Sequence, residues 1–297
     1  MKIKVLVTGS EGQLGRELQT LAPENPLFDF TFINRSQWDL GANKPLLPIL
    51  KNSATQYLVN AAAYTAVDAA ESDEANCFNI NAVAPGKMAK DCKEANVRMV
   101  QISSDYVFSD GRGELIKEDR PKLPAGVYAK SKSLGEDLVL SNHPDGALVV
   151  RTSWLYSSFG KNFVKTILRK GMEGSPLRVV ADQHGSPTYA RDLAIAIIKL
   201  IEVSYGRPIR ESERILHYCN EGICTWYDLA EEILCYAGLS APLAAIDTAS
   251  LGACAPRPLF SGLDCSRIRN VLGITIPGWK DSLHQCLDLL LTNNEWK

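Results

Sequence analysis

The segment Thr8-Gly9-Ser10-Glu11-Gly12-Gln13-Leu14-Gly15 constrains this chain more than any other. It follows an apolar run of strand character at 4–8 and leads into a segment of helical period at 13–21. Glycines at 9, 12 and 15 permit a tight turn, close approach of the backbone to a pyrophosphate, and close packing of helix on strand. Free N–H groups at the start of the following helix favour an anion. A strand, this loop and a helix in direct succession predict a dinucleotide site on Gly9, Gly12, Gln13, Leu14 and Gly15. The alternative is a plain strand-to-helix turn, which rarely needs three glycines at this spacing.

Further strands are expected at 30–34, 57–60, 98–103 and 147–152, and helices at 45–52, 81–95 and 127–140. Such a series, with right-handed crossovers, predicts an α/β fold with a doubly wound parallel sheet of Rossmann type. After Thr152 the rhythm loosens. Helices at 162–171, 191–203, 225–237 and 279–291 are joined by short strands and Pro-rich turns. A dinucleotide-binding core is therefore expected at 1–153. A smaller, less regular C-terminal substrate lobe is expected at 154–297, with some segments returning to the core sheet. Ligands of such sheets lie at the carboxyl ends of the strands.

Composition excludes several partners. With 45% hydrophobic and 22% charged residues and a formal net charge of -2, the chain reads as an ordinary soluble protein. It offers no basic field for nucleic acid or an acidic membrane surface. No run approaches the ~20 apolar residues of a membrane span, and the N-terminal stretch lacks a signal-peptide core, so a cytoplasmic location is expected. Eight cysteines and four histidines are scattered without ligand spacing. They predict buried free thiols and no metal site.

Nicotinamide cofactors are told apart near the end of the second strand, where an acid that binds the ribose 2′-OH indicates NAD. Here that place reads Asn34-Arg35. Arg35 suits a 2′-phosphate, which favours NADPH and leaves NADH open. An exposed surface arginine is the alternative. Asp39-Leu40 is expected near the adenine.

Tyr128 and Lys132 stand four apart on a predicted helix and so project from one face. Ser103-Ser104 ends the fourth strand at the carboxyl edge of the sheet, ahead of that helix. Trp154 follows the fifth strand, where its indole would either stack on a sugar or base or fill the core.

Six blocks in order carry a resemblance. They are 7–15, 59–68, Ser103-Ser104-Asp105-Tyr106-Val107-Phe108, Tyr128-Ala129-Lys130-Ser131-Lys132 with Gly135-Glu136, 151–156, and 182–188. Through them the chain resembles the extended short-chain dehydrogenase/reductases, most nearly the dTDP-4-dehydrorhamnose reductase branch. The resemblance implies NAD(P)H-dependent reduction of the C4 ketone of dTDP-4-dehydro-L-rhamnose. It implies Tyr128 as proton donor, Lys132 as its electrostatic support and ribose ligand, and Ser104 on the carbonyl oxygen. It places Ala61, Ala62, Ala63 and Tyr64 beside the cofactor, and Val67, Asp105, Tyr106, Trp154 and Arg257 around a dTDP-4-keto-6-deoxy sugar. Arg257 would meet the nucleotide phosphates, and Asp105 would either order sugar hydroxyls or serve a turn.

Related 4,6-dehydratases carry a second acid at the place of Tyr106, so net dehydration is disfavoured. The chain departs from the family where Gly126 replaces a usual Asn and Ala129 a usual Gly. Three alternatives stand beside the reductase reading: an epimerase, a reductase of another nucleotide sugar, and a non-catalytic regulatory subunit such as a relative that binds a methionine adenosyltransferase. A homodimer is also open, as some relatives pair.

Overall fold

The computed structural model describes residues 2–111 and 113–292. The first part of the chain runs β1 (Ile3–Thr8), α1 (Gln13–Leu21), β2 (Phe28–Ile33), α2 (Leu47–Asn52), β3 (Tyr57–Asn60), then the short helices α3 (Val67–Ala70) and α4 (Glu74–Phe78). One π-helical turn, Asn79–Val83, leads into α5 (Ala84–Glu94), followed by β4 (Arg98–Ser104), α6 (Gly126–Asn142) and β5 (Ala147–Thr152). With β10 (Ile215–His217) from later in the chain, the strands form one parallel sheet in the order β10-β5-β4-β3-β1-β2. The chain leaves β1 toward β2 on one side and continues through β3 on the other, so the sheet switches direction at β1. A crevice opens at the carboxyl edge there, which is where such sheets bind ligands.

Alternation along the central strands explains why both faces are covered. Val5 and Val7 of β1, with Tyr57 and Val59 of β3, enter one apolar cluster shared with α1 and α8 (Ala190–Ser204). Leu6 and Leu58, pointing the other way, join Met88, Ala89 and Cys92 of α5. Each of the buried Val, Leu and Met side chains among these contributes roughly 1.5–3 kcal/mol.

The second part comprises β6 (Leu155–Tyr156), α7 (Phe163–Met172), β7 (Leu177–Val180), β8 (His184–Gly185), β9 (Thr188–Tyr189) and α8 (Ala190–Ser204). It continues with β10 (Ile215–His217), β11 (Cys224–Thr225), α9 (Trp226–Tyr236), β12 (Leu243–Ile246), α10 (Thr248–Leu251), α11 (Ser266–Leu272) and α12 (Trp279–Thr292). β10 joins the main sheet beside β5, and α8 packs on the β1 face. α7, α9 and α12 enclose a separate core with Val164, Leu168, Ile233 and Leu287. Among the described residues no helix is long and apolar enough to cross a membrane.

Two elements differ from expectation. β2 begins at Phe28, ahead of the expected 30–34, where the Phe28 ring meets Phe30 at 5.5 Å and Phe30 stacks on Phe32 at 5.7 Å along one face. The helix expected at 81–95 begins at Glu74 and is broken by the π turn. That turn aims Asn81 at the chain before it: its side chain accepts from Tyr64 N at 2.9 Å and donates to Tyr64 O at 3.0 Å and Ser131 Oγ at 3.1 Å. It thereby braces the loop after β3 against α6.

Candidate active site

Tyr128, Lys132 and Glu136 stand four apart on α6 and face three consecutive residues at the end of β4. Ser104 and the Tyr128 phenol line the same cleft, and the Ser104 hydroxyl acts to lower the proton affinity of that phenol. The Lys132 ammonium donates to the Ile102 carbonyl at 2.7 Å. Ser103 Oγ donates to Glu136 Oε1 at 2.5 Å. Glu136 in turn receives both arms of Arg151, Nε at 2.8 Å and Nη2 at 2.7 Å. This ion pair is buried on both sides, and its two parallel bonds offset the desolvation of both charges. Behind it, Arg151 Nη1 reaches His217 Nε2 at 3.3 Å, while His217 Nδ1 meets the Ile116 carbonyl at 3.1 Å.

Burial governs the proton affinities. It raises the Tyr128 phenol above its usual value, so the group is protonated at neutral pH. It lowers Lys132 to about 8, against which the Glu136 carboxylate works to keep the ammonium charged. Burial also acts to raise Glu136 itself, but the Arg151 hydrogen bonds and charge bring it below the ordinary carboxyl range. Asp105 is lifted to about 6 by burial, partly opposed by Ser261 and Ser104. Its Oδ1 accepts from Ser104 Oγ at 2.8 Å, while Oδ2 has no hydrogen-bond partner.

Ser103, Ser104, Asp105, Tyr128 and Lys132 line a cleft of about 680 Å³ that also runs past Gly9, Gly12, Gln13, Leu14, Asn34, Arg35 and Ala61–Ala63. Gly9 has φ +70°, and a Cβ there would sit 2.7 Å from Ala62 N. A Cβ on Gly15 would strike the Gly9 carbonyl at 2.3 Å. The loop therefore keeps its open cradle only with glycine at these places. No side chain caps the start of α1, which leaves its N–H groups for a ligand. Cradle and uncapped helix fit the pyrophosphate of a dinucleotide. Asn34 folds into an Asx turn and donates to Glu11 Oε1 at 2.9 Å. Arg35 is exposed beside Asp39, 3.4 Å away. Asp39 and Leu40 line a smaller adjoining hollow of about 110 Å³ with Gly9, Trp38 and Ala62.

Gly15 and Tyr64 do not line the cleft. Gly15 lies behind the loop, where it lets α1 approach Ser10, and Tyr64 packs with Cys77 and Tyr128.

At the other end stand Val67, Tyr106, Trp154 and Arg257. Tyr106 meets the Tyr128 ring edge-on at 5.4 Å. Arg257 donates to Tyr106 Oη at 3.2 Å and to Asp68 Oδ2 at 2.6 Å, so the segment after Ala255 is tied across the cleft to α3. Gly126 has φ +81°, a conformation that glycine and asparagine tolerate best, which accounts for its standing where the family carries Asn. Trp154 is stacked on Trp226, centroids 3.7 Å apart at 11°.

Trp226, Glu11 and Lys161 also line the cleft and were not anticipated. Trp226 carries a local signal. Thr225 and Asp228 form a reciprocal cap that begins α9 at Trp226, but nothing in the sequence pairs that residue with Trp154. The block 182–188 now has a role. A Cβ on Gly185 would lie 2.7 Å from the Trp154 indole, and Ser153 Oγ donates to Ser186 O at 2.5 Å.

Comparison with known proteins agrees with this geometry. The family model described as "RmlD substrate binding domain" matches residues 2–292. A spore coat polysaccharide biosynthesis protein, SpsK, of Bacillus subtilis is 34% identical over 284 residues, covering 96% of each chain. A dTDP-4-dehydrorhamnose reductase of Aggregatibacter actinomycetemcomitans is 34% identical over 287 residues, 94% of this chain and 97% of that one. The crystal structure of dTDP-4-dehydrorhamnose reductase from Bacillus anthracis in complex with NADP superposes with a TM-score of 0.90 at 34% identity, covering 97% of this chain and 99% of that one. The chain belongs to the RmlD substrate binding domain family, among the extended short-chain dehydrogenase/reductases.

Proposed function

We propose that this protein reduces the C4 ketone of dTDP-4-dehydro-L-rhamnose to the alcohol of dTDP-L-rhamnose, with NADPH as reductant. The observation that carries the reading is the convergence of Tyr128, Lys132 and Ser104 on one cleft that continues into the glycine cradle. Relatives that match nearly the whole chain at 34% identity bear that activity in their names.

NADPH, when bound, supplies the hydride that the carbonyl carbon receives. Gly9, Gly12, Gln13 and Leu14 would hold its pyrophosphate, Arg35 its 2′-phosphate, Asp39 and Leu40 its adenine, and Ala61–Ala63 the neighbouring backbone. Ser104 hydrogen-bonds the ketone oxygen and orients it. Tyr128 gives its phenolic proton to that oxygen as the C–H bond forms. The resulting tyrosinate is stabilised by the Lys132 ammonium and takes a proton back from solvent. Hydride on carbon and proton on oxygen account for both hydrogens of the alcohol. Residues 1–153 supply the cofactor side, and most of 154–297 the sugar-nucleotide side, where Trp154 and Arg257, joined by Val67 and Tyr106 of the first part, would surround the sugar diphosphate.

The test follows the loss of reduced-cofactor absorbance with purified protein. It should require the keto sugar nucleotide, and Tyr128→Phe should lower kcat by about 10²–10⁴-fold with cofactor affinity retained. Undiminished turnover in that variant would reject the assignment.

A further inference from the structure

Outside the catalytic cleft, two thiols from distant parts of the chain meet. Cys219 follows β10 and Cys265 precedes α11, and their sulfurs are 3.4 Å apart. Cys219 N donates to Cys265 Sγ at 3.2 Å. Both sulfurs also lie 3.8 Å from the Leu263 carbonyl.

Each cysteine is fixed by its flanks. Tyr218 N donates to Arg151 O at 2.9 Å, which continues the β5–β10 pairing up to Cys219. Asn220 is anchored to Asp192 at 2.7 Å and Ser282 at 2.8 Å. On the other side Asp264 N donates to Ile116 O at 2.8 Å and Ser266 N to Asp264 Oδ1 at 2.7 Å. The encounter is thus held by backbone on both strands of the contact.

A separate cleft of about 150 Å³ is lined by Cys219 and Cys265 together with Ser186, Asn220 and Arg269. A water-sized molecule needs only about 10–15 Å³ of such space. The Cys265 thiol, pointing at Cys219, lowers the proton affinity of Cys219, and that of Cys265 rises in turn. Cys219 is therefore the more acidic of the two thiols, and the thiolate is the reactive form.

We propose that Cys219 and Cys265 are a modification site at which a small hydroperoxide forms an intramolecular disulfide. The Cys219 thiolate attacks one peroxide oxygen, the O–O bond breaks, and Cys219 becomes a sulfenic acid while the departing hydroxide takes a proton to give water. Cys265 then attacks the Cys219 sulfur, forms the S–S bond and expels hydroxide, which takes the Cys265 proton as a second water. Two thiols lose two electrons in all, and hydrogen peroxide is reduced to two waters. The sulfurs need to close by about 1.4 Å to reach bonding distance.

The full-length protein treated with hydrogen peroxide should lose about 2 Da, recover its mass with dithiothreitol, and yield a Cys219–Cys265 cross-linked peptide. Cys265→Ala should leave a Cys219 sulfenic acid that dimedone captures, whereas Cys219→Ala should leave Cys265 unlabelled. Peptide mapping of the unsubstituted protein decides the matter even if a variant folds poorly. An unchanged mass, or oxidation only at the exposed Cys235 and Cys254 with Cys219 and Cys265 still thiols, would overturn the proposal.

Discussion

The Lys132 ammonium is pinned beneath the catalytic face by its 2.7 Å hydrogen bond to the Ile102 carbonyl. It is nearly inaccessible to water, and burial brings its proton affinity down to about 8. The charged form is the one that supports a tyrosinate. Below that value the ammonium is present; above it the charge is lost. The free-enzyme rate constant kcat/KM, measured from about pH 6 to 10, should therefore fall with one proton on the alkaline side near 8. Lys132→Arg, which stays charged, should lose that limb whatever its absolute rate. A limb unchanged in the arginine variant would place the titrating group elsewhere.

Trp226 backs Trp154 in the cleft, and the proposed function makes that stack a support of the substrate side. Trp154 has φ +45°, an uncommon conformation for a large side chain, and it is backed by the Trp226 indole, on which Phe163 leans at 4.7 Å. An aromatic pair is worth about 0.5–1.5 kcal/mol beyond its area, so Trp226→Ala should raise KM for the keto sugar by up to roughly tenfold while NADPH affinity holds. Trp226→Phe keeps a ring in place and should restore KM. Two stacked indoles couple their transitions, so both variants should lose an exciton pair in the circular dichroism spectrum. An unaltered KM in the alanine variant would confine Trp226 to packing.

Arg35 is proposed to set the cofactor preference. Its partner Asp39 holds it only through an exposed ion pair, a contact worth under about 1 kcal/mol. The guanidinium is thus free to turn to a 2′-phosphate. Arg35→Ala should weaken NADPH about tenfold and leave NADH nearly unchanged, since a charge-assisted bond to phosphate is lost only in the first case. Equal weakening of both, read by fluorescence titration, would remove Arg35 from that role.

What could be read in the chain beforehand was local. The loop at 9–15 set the start of α1 at Gln13, and the spacing of Tyr128 and Lys132 placed both on one face of α6. What escaped depends on neighbours distant in sequence. Nothing near Trp226 announces Trp154 as its stacking partner, and nothing near Arg151 announces the Glu136 carboxylate or His217. The same holds for the meeting of Cys219 with Cys265, which sequence spacing alone had left as scattered thiols. Local pattern also misleads where packing intervenes: periodicity predicts one helix at 81–95, but its start lies in a π turn where Asn81 serves Tyr64 and Ser131 at once.

His217 should make the protein sensitive to acid. It is fully buried, and burial together with the Arg151 charge lowers its proton affinity to about 3, from 6.5 in the exposed ring. Glu136 and the Ile116 carbonyl oppose that shift, Arg267 adds to it, and Glu118 Oε1 accepts from the His217 backbone N–H. A neutral ring with its proton on Nδ1 serves both neighbours: it donates to Ile116 and accepts from Arg151 at Nε2. Above pH 6.5 this costs nothing, since the unfolded chain is neutral there too. As pH falls below that value the unfolded ring binds a proton and the folded one does not. Stability is then lost at about 1.4 kcal/mol per pH unit down to about 3. His217→Gln keeps one donor and one acceptor but cannot titrate. Urea unfolding between about pH 6 and 4 should therefore show a slope shallower by about one proton in the variant than in the unsubstituted protein. Identical slopes would mean that His217 is charged in the fold, and the buried Arg151–Glu136 pair would then need another account.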